Sequence, residues 1–229
     1  MRIDAVTLDA FGTVLDTGRA AVVEVAAEVV SREGIATGPA PFLAAWDAAF
    51  IALVSTRRGP FRNLADTSEA SLSETLRRFG CAAGARPYID GLLARWRMAR
   101  PFPDALEAFR RMRGFPIAIV SNADDAFLRD VLGRASVPVD LVVTSEATRS
   151  YKPNAGIFRA ALSALGTRPE STLHVGDSYA EDVVGSKAVG MKAAWLNRTG
   201  SPRPSAGLRA DFEISDLTAL PRVLARVGE

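Results

Sequence analysis

Asp9, Ser121, Lys152, Asp177 and Asp182 are the residues of this chain whose types and placement could carry a reaction. Asp9 follows the hydrophobic strand predicted over Ile3–Leu8 and precedes the turn Ala10-Phe11-Gly12-Thr13. A carboxylate there stands at the mouth of a sheet, where aspartate can act as a nucleophile. Ser121 with Asn122 ends the apolar run Ile117-Ala118-Ile119-Val120. Lys152 comes shortly after Leu141–Thr144, and Asp177 with Asp182 follows Thr172–Val175. Ligands of open α/β sheets sit outside the carboxyl ends of the strands, so four such segments in order converge on one site.

The elements that must position these residues are legible in outline. Short apolar strands are predicted at Ile3–Leu8, Ile117–Ser121, Leu141–Thr144, Thr172–Val175, Ala193–Leu196 and Phe212–Ile214. Helices are predicted between them at Asp104–Arg113, Asp124–Leu132, Asn154–Leu165, Ala180–Val189 and Asp216–Val227. That alternation predicts an α/β fold, a Rossmann-like parallel sheet flanked by helices. From Arg19 to Met98 the rhythm changes to consecutive helices, at Arg19–Arg32, Pro41–Ser55, Ser68–Phe79 and Pro87–Met98. The expected division is a core of residues 1–16 and 100–229 with an all-helical cap over 17–99. Trp46, Phe50 and Trp96 fall on cap helices, where they read as cap core, with a dimer contact as the alternative.

Composition narrows the chemistry. Hydrophobic residues are 48% and charged residues 24%, ordinary for a globular chain with a sizeable core. A formal charge of +2, without a long Lys/Arg block, argues against nucleic acid as a partner. A lone cysteine, Cys81, rules out an internal disulfide framework. His174 is the sole histidine, so histidine-rich metal sites are excluded; inside a strand it reads as a packed, hydrogen-bonded core residue. No signal-peptide pattern or membrane-length apolar run is present, and the expected setting is cytoplasmic, as a monomer or homodimer.

Alongside these readings, the segments resemble the four motifs of the haloacid dehalogenase-like (HAD) hydrolases. Asp9-Ala10-Phe11-Gly12-Thr13 resembles motif I, with Phe11 where the family's usual second aspartate stands. Ile117–Asn122 resembles motif II, Ser150-Tyr151-Lys152-Pro153 motif III, and Gly176-Asp177 through Asp182 motif IV. The helical insertion matches the family's small cap. The resemblance implies a Mg²⁺-dependent hydrolase of a small, anionic, phosphorylated substrate. Asp9 would be the nucleophile, forming an aspartyl-phosphate intermediate. Thr13, Ser121, Lys152 and backbone N–H groups near Gly12 and Thr13 would hold developing charge. Asp9, Asp177 and the Phe11 carbonyl would ligate Mg²⁺, a hard cation suited to oxygen ligands. Asp182 would position Lys152, and Gly12 and Asn122 would contact substrate, Asn122 having the alternative of a simple cap. Thr13 can equally be a turn residue, and Tyr151 either lines the pocket or packs against the turn. Asp16 and Thr17 read as N-caps of the helix at Arg19–Arg32.

Phe11 opens two alternatives. In the family's phosphatases the missing aspartate protonates the leaving group, a contribution of roughly 10²–10⁴-fold. An aromatic residue there is familiar in the 2-haloacid dehalogenase branch, where a halide leaves without a proton; Arg57 or Arg58 of the cap would then bind the substrate carboxylate. That branch works without metal and usually lacks the acid that stands here as Asp177. The other alternative is a fold that binds a phosphometabolite with little turnover. Glu181 is a candidate for the missing proton source.

Overall fold

A computed structural model describes residues 2–55, 60–139, 141–205 and 207–226. The chain forms two compact units, one of residues 1–16 with 100–229 and one of residues 17–99.

The first unit is built on a six-stranded, all-parallel sheet. Its strands are β1 (Ala5–Leu8), β2 (Ile117–Ser121), β3 (Leu141–Thr144), β4 (Thr172–Gly176), β5 (Lys192–Leu196) and β6 (Phe212–Ile214). They lie in the order β3-β2-β1-β4-β5-β6. The first half of the chain winds outward one way from β1 and the second half the other way. The order therefore reverses between β1 and β4, where the carboxyl ends of a doubly wound sheet open a crevice. Every residue of β1 and β4 is buried, as expected of strands covered on both faces. Among the flanking helices, Asp125–Arg134 follows β2, Ala155–Leu165 precedes β4, and Val184–Ala188 follows it.

The second unit packs four helices: α1 (Arg19–Arg32), α2 (Pro39–Ser55), α3 (Leu64–Arg78) and α4 (Arg86–Arg97). Trp46 and Trp96 are buried there, and the indole N–H of Trp46 donates to Ser71 Oγ at 2.9 Å. Phe42 and Phe79 stack obliquely with centroids 5.4 Å apart. Asn63 caps α3 through its side chain, which accepts from the Asp66 N–H at 2.8 Å. Arg57 and Arg58 lie outside the described residues.

Two local expectations are corrected. Asp16 does not cap α1: its N–H donates to the Arg100 carbonyl at 2.8 Å and its Oδ1 accepts the Arg100 N–H at 2.9 Å. This latch joins the points where the chain leaves and re-enters the first unit, a pairing 84 residues apart that local spacing does not reveal. The residue before α1 is Gly18, at φ 123°, and no side chain caps the helix. Nor does a regular helix run over 180–189. A π turn over Tyr179–Val183 comes first, capped by Ser178, whose Oγ accepts the Glu181 N–H at 3.3 Å while Asp182 Oδ2 accepts the Ser178 N–H at 3.0 Å. Such π turns are frequent at functional sites.

Candidate active site

Asp9 emerges from β1 beside β4, its N–H still bonded to the Val175 carbonyl at 2.9 Å. That last ladder bond fixes the carboxylate at the sheet edge, and it is buried. Asp9 Oδ1 accepts from Lys152 Nζ at 2.6 Å and from Ser121 Oγ at 3.1 Å. Both side-chain donors are on Oδ1, so among the described residues no side chain holds Oδ2. Burial is the main cause that raises the Asp9 carboxyl above its ordinary range, against the lowering effect of Lys152.

Lys152 is among the most buried side chains of the chain. Its ammonium bridges Asp9 Oδ1 and Asp182 Oδ1, each at 2.6 Å. Two acids on one ammonium leave its third N–H without an acceptor among the described residues. Flanking carboxylates outweigh desolvation and raise the Lys152 pKa above its usual value, so it stays charged. Asn122 clamps the lysine backbone: its Oδ1 accepts the Lys152 N–H at 2.7 Å and its Nδ2 donates to the Lys152 carbonyl at 3.2 Å. The same Nδ2 lies 3.2 Å from Glu181 Oε2. The Asn122 side chain is thus turned into the protein framework, neither a helix cap nor projecting as a lone ligand.

Asp182 is fully engaged. Its Oδ1 takes Lys152 and, at 3.0 Å, His174 Nε2, while its Oδ2 takes the Ser178 N–H. Lys152 and His174 hold its carboxyl down at about 2 despite burial. A Cβ on Gly176 would overlap the Asp182 side chain, so β4 must end in glycine for this acid to lie against it.

Asp177 is different. Its backbone N–H donates to Thr13 Oγ1 at 3.1 Å and Thr13 Oγ1 donates to its Oδ1 at 3.0 Å, a reciprocal tie that occupies the threonine hydroxyl. No cation of the chain bonds its carboxylate among the described residues. Burial first, then the charges of Asp9 and Asp182, push its pKa up to about 7. Glu181 is likewise pushed up to about 7, chiefly by desolvation. Oxygens of Asp9, Asp177 and Asp182 lie within 4.8 Å of one another. Because the oxygens of Asp182 are taken, the donor pair suited to a hard cation is Asp9 and Asp177.

The motif I turn closes the crevice. Gly12 has φ +86°, and its N–H donates to the Leu15 carbonyl at 2.8 Å. That bond corrects the expectation of a free Gly12 N–H for an anion; the Thr13 N–H makes no bond among the described residues. Arg198 Nη2 donates to the Thr13 carbonyl at 2.9 Å while Nη1 donates to Asp104 Oδ2 at 2.8 Å, and its guanidinium lies over the Phe102 ring. No motif marks Arg198, which reaches the turn across 185 residues of sequence. Phe11 is half-buried, its ring centroid 6.5 Å from that of Phe127. Tyr151 is buried. The structure thus brings together Asp9, Gly12, Thr13, Ser121, Asn122, Lys152, Asp177 and Asp182.

Comparison with known proteins shows the family to which the chain belongs. A family model described as haloacid dehalogenase-like hydrolase matches residues 3–190. An (S)-2-haloacid dehalogenase of Pseudomonas sp. (strain YL) is 31% identical over 163 residues, 69% of either chain. A phosphoserine phosphatase of Thermus thermophilus is 32% identical over 166 residues, 69% of this chain and 63% of its own. An L-2-haloacid dehalogenase structure, RSc1362, superposes with a TM-score of 0.81 at 22% identity, covering 98% of this chain and 100% of its own. Among the described residues no helix is long and apolar enough to cross a membrane.

Proposed function

Because the chain belongs to the haloacid dehalogenase-like hydrolases, we propose that it is a Mg²⁺-dependent phosphatase of a small phosphorylated metabolite, with Asp9 as nucleophile. The observation that carries this reading is the Asp177 carboxylate, half-buried beside the buried Asp9, with no cation of the chain bonded to it among the described residues. Two neighbouring acids repel unless a cation or a proton offsets them. A carbon–halogen displacement needs no such ligand pair, whereas a phosphoryl group brings charge that a divalent ion neutralises.

The donor set fits Mg²⁺: two carboxylates and a backbone carbonyl are hard oxygen ligands. Asp9, Asp177 and the Phe11 carbonyl would hold the ion, which when bound supplies charge neutralisation for the phosphoryl oxygens. Asp9 Oδ2 attacks phosphorus in line with the leaving oxygen. The P–O bond to that oxygen breaks and its electron pair departs with it. Water then attacks the aspartyl phosphate at phosphorus, releasing orthophosphate and regenerating Asp9. The third N–H of Lys152 and the Thr13 N–H are the donors for the phosphoryl oxygens, and the Ser121 hydroxyl joins them by turning from Asp9 Oδ1. Asp182 orients Lys152, and Asn122 sets the height of the Lys152 backbone.

Phe11 cannot protonate a leaving group. The substrate class that suits it has a leaving group stable as an anion, an acyl or aryl phosphate. The same residue favours a second reading, displacement of halide from a 2-haloacid by Asp9, since halide needs no proton. One experiment tests both: phosphate release from p-nitrophenyl phosphate and a panel of metabolite phosphates, with Mg²⁺ or EDTA, beside halide release from 2-haloacids, with Asp9→Asn as the blank. Mg²⁺-dependent phosphate release lost in the blank is the expected result. Chelator-insensitive halide release without phosphate release would replace this reading by the second.

A further inference from the structure

The sole histidine is built into the site from behind. His174 on β4 and Thr7 on β1 are register partners in the sheet, and both are buried. Thr7 Oγ1 lies 2.8 Å from His174 Nδ1, and His174 Nε2 lies 3.0 Å from Asp182 Oδ1. That carboxylate oxygen is the one that receives Lys152 Nζ, which in turn bonds Asp9. Four side chains thus run in an unbroken line from the middle of the sheet to Asp9.

With the ring singly protonated, the line has one self-consistent proton arrangement. An ionised carboxylate only accepts, so Nε2 carries the ring proton toward Asp182. Nδ1 is then the acceptor, and the buried Thr7 hydroxyl donates to it, having no other acceptor among the described residues. Phe158 meets the ring edge-on with centroids 5.1 Å apart and restricts its rotation. Asp182 sits at the turn after β4; the Ser178 N–H holds its Oδ2, and on Oδ1, the oxygen that faces Lys152, His174 is the donor that does not move with the lysine.

We propose that the Thr7–His174 pair is a positioning arm that fixes Asp182 and, through it, points the Lys152 ammonium at Asp9 and the bound anion. The inference rests on the proposed role of Asp9 and Lys152. His174 touches no reacting atom; its Nε2–H fixes the direction of the acid that holds the lysine, as outer ligands do around a site.

Because the chain has a single histidine, its imidazole gives one unambiguous pair of ¹⁵N signals. The expected spectrum shows a proton on Nε2; a ring protonated at Nδ1 alone overturns the proposal. In turnover, His174→Leu is expected to lower kcat by about 10–100-fold and His174→Gln, whose amide can still donate to Asp182 and accept from Thr7, by no more than about threefold. A folded His174→Leu with wild-type kcat, or a Gln variant as slow as the Leu variant, overturns it. If His174→Leu does not fold, Thr7→Val decides: an Nδ1 signal shifted by loss of its hydrogen bond, with Nε2–H retained and kcat lowered, supports the arm, and an unchanged spectrum and rate overturn it. Absence of all turnover in the wild type would overturn the proposed reaction and not this inference. The same variants are then compared by orthophosphate affinity in Mg²⁺, with weakening by Leu and rescue by Gln expected, and no phosphate binding by the wild type overturning both.

Discussion

Asp177 lies so close above Gly12 that a Cβ on the glycine would stand 2.6 Å from Asp177 Oδ2. The motif I turn and the acid after β4 thus share one space, and Gly12 also adopts a φ of +86°. Substituting Gly12→Ala is expected to destabilise the protein by about 1–3 kcal/mol through strain at that positive φ and to abolish Mg²⁺ dependence by pushing Asp177 aside. Thermal unfolding with and without Mg²⁺ checks it; a wild-type Mg²⁺ response would show that Asp177 does not need this closeness.

Lys152 and Asp9 are opposite cases of one buried pair. Removing the ammonium in Lys152→Met leaves Asp9 and Asp182 facing each other, and loss of a single partner of a buried pair costs about 3–5 kcal/mol. Asp9→Asn removes an acid whose ionised form burial already disfavours, and Lys152 keeps Asp182. The expected outcome is an inactive Asn variant at least as stable as wild type, and a Met variant that is both inactive and markedly less stable. Denaturant unfolding of the two proteins provides the comparison.

Phe11→Asp restores a carboxyl two positions after the nucleophile. Alkyl phosphates should gain roughly 10²–10⁴-fold in kcat, the usual scale of general-acid assistance, with little change for aryl phosphates. A plot of rate against leaving-group basicity reads this out, and it should be steep for the wild type and shallower for the variant. A folded variant with an unchanged slope would place the proton source elsewhere, with Glu181 as the residue to substitute next.

Metal and proton compete for Asp177. Its folded pKa is about 7 against an ordinary 3.8, and that of Glu181 is about 7 against 4.5. Raised acids stabilise the fold fully below their unfolded values, and that contribution is lost as pH rises through the folded ones. In EDTA the melting temperature should therefore fall as pH goes from about 5 to 8. Magnesium should reverse the loss at pH 8, by about 2.7 kcal/mol at a hundredfold excess over Kd, and act less at pH 6 where Asp177 is protonated. Asp177→Asn should erase the Mg²⁺ effect; a full effect in that variant would move the ion to other ligands.

The sequence alone determined the α/β class and the strand ends at which Asp9, Ser121 and Asp177 stand, with Lys152 shortly after a fourth. Buried parallel strands are short apolar runs, and a strand's end is marked by the polar residue that follows, so both are local signals. The helical rhythm of residues 19–98 was local in the same way. The departure at Phe11, with its consequence for the leaving group, also needed no coordinates.

Only the tertiary structure decided how the acids divide their work. Asp177 and Asp182 are five residues apart and alike in type, yet one lacks a cation and the other is saturated by Lys152, His174 and Ser178. The same holds for Asn122 on the Lys152 backbone, for Arg198 on the Thr13 carbonyl, and for Asp16, bonded to Arg100 instead of capping α1. Each depends on groups tens to hundreds of residues apart meeting within about 3 Å, the range over which a hydrogen bond forms. Composition and periodicity record which side chains a segment carries and which face it buries; they do not record which distant partner arrives there first.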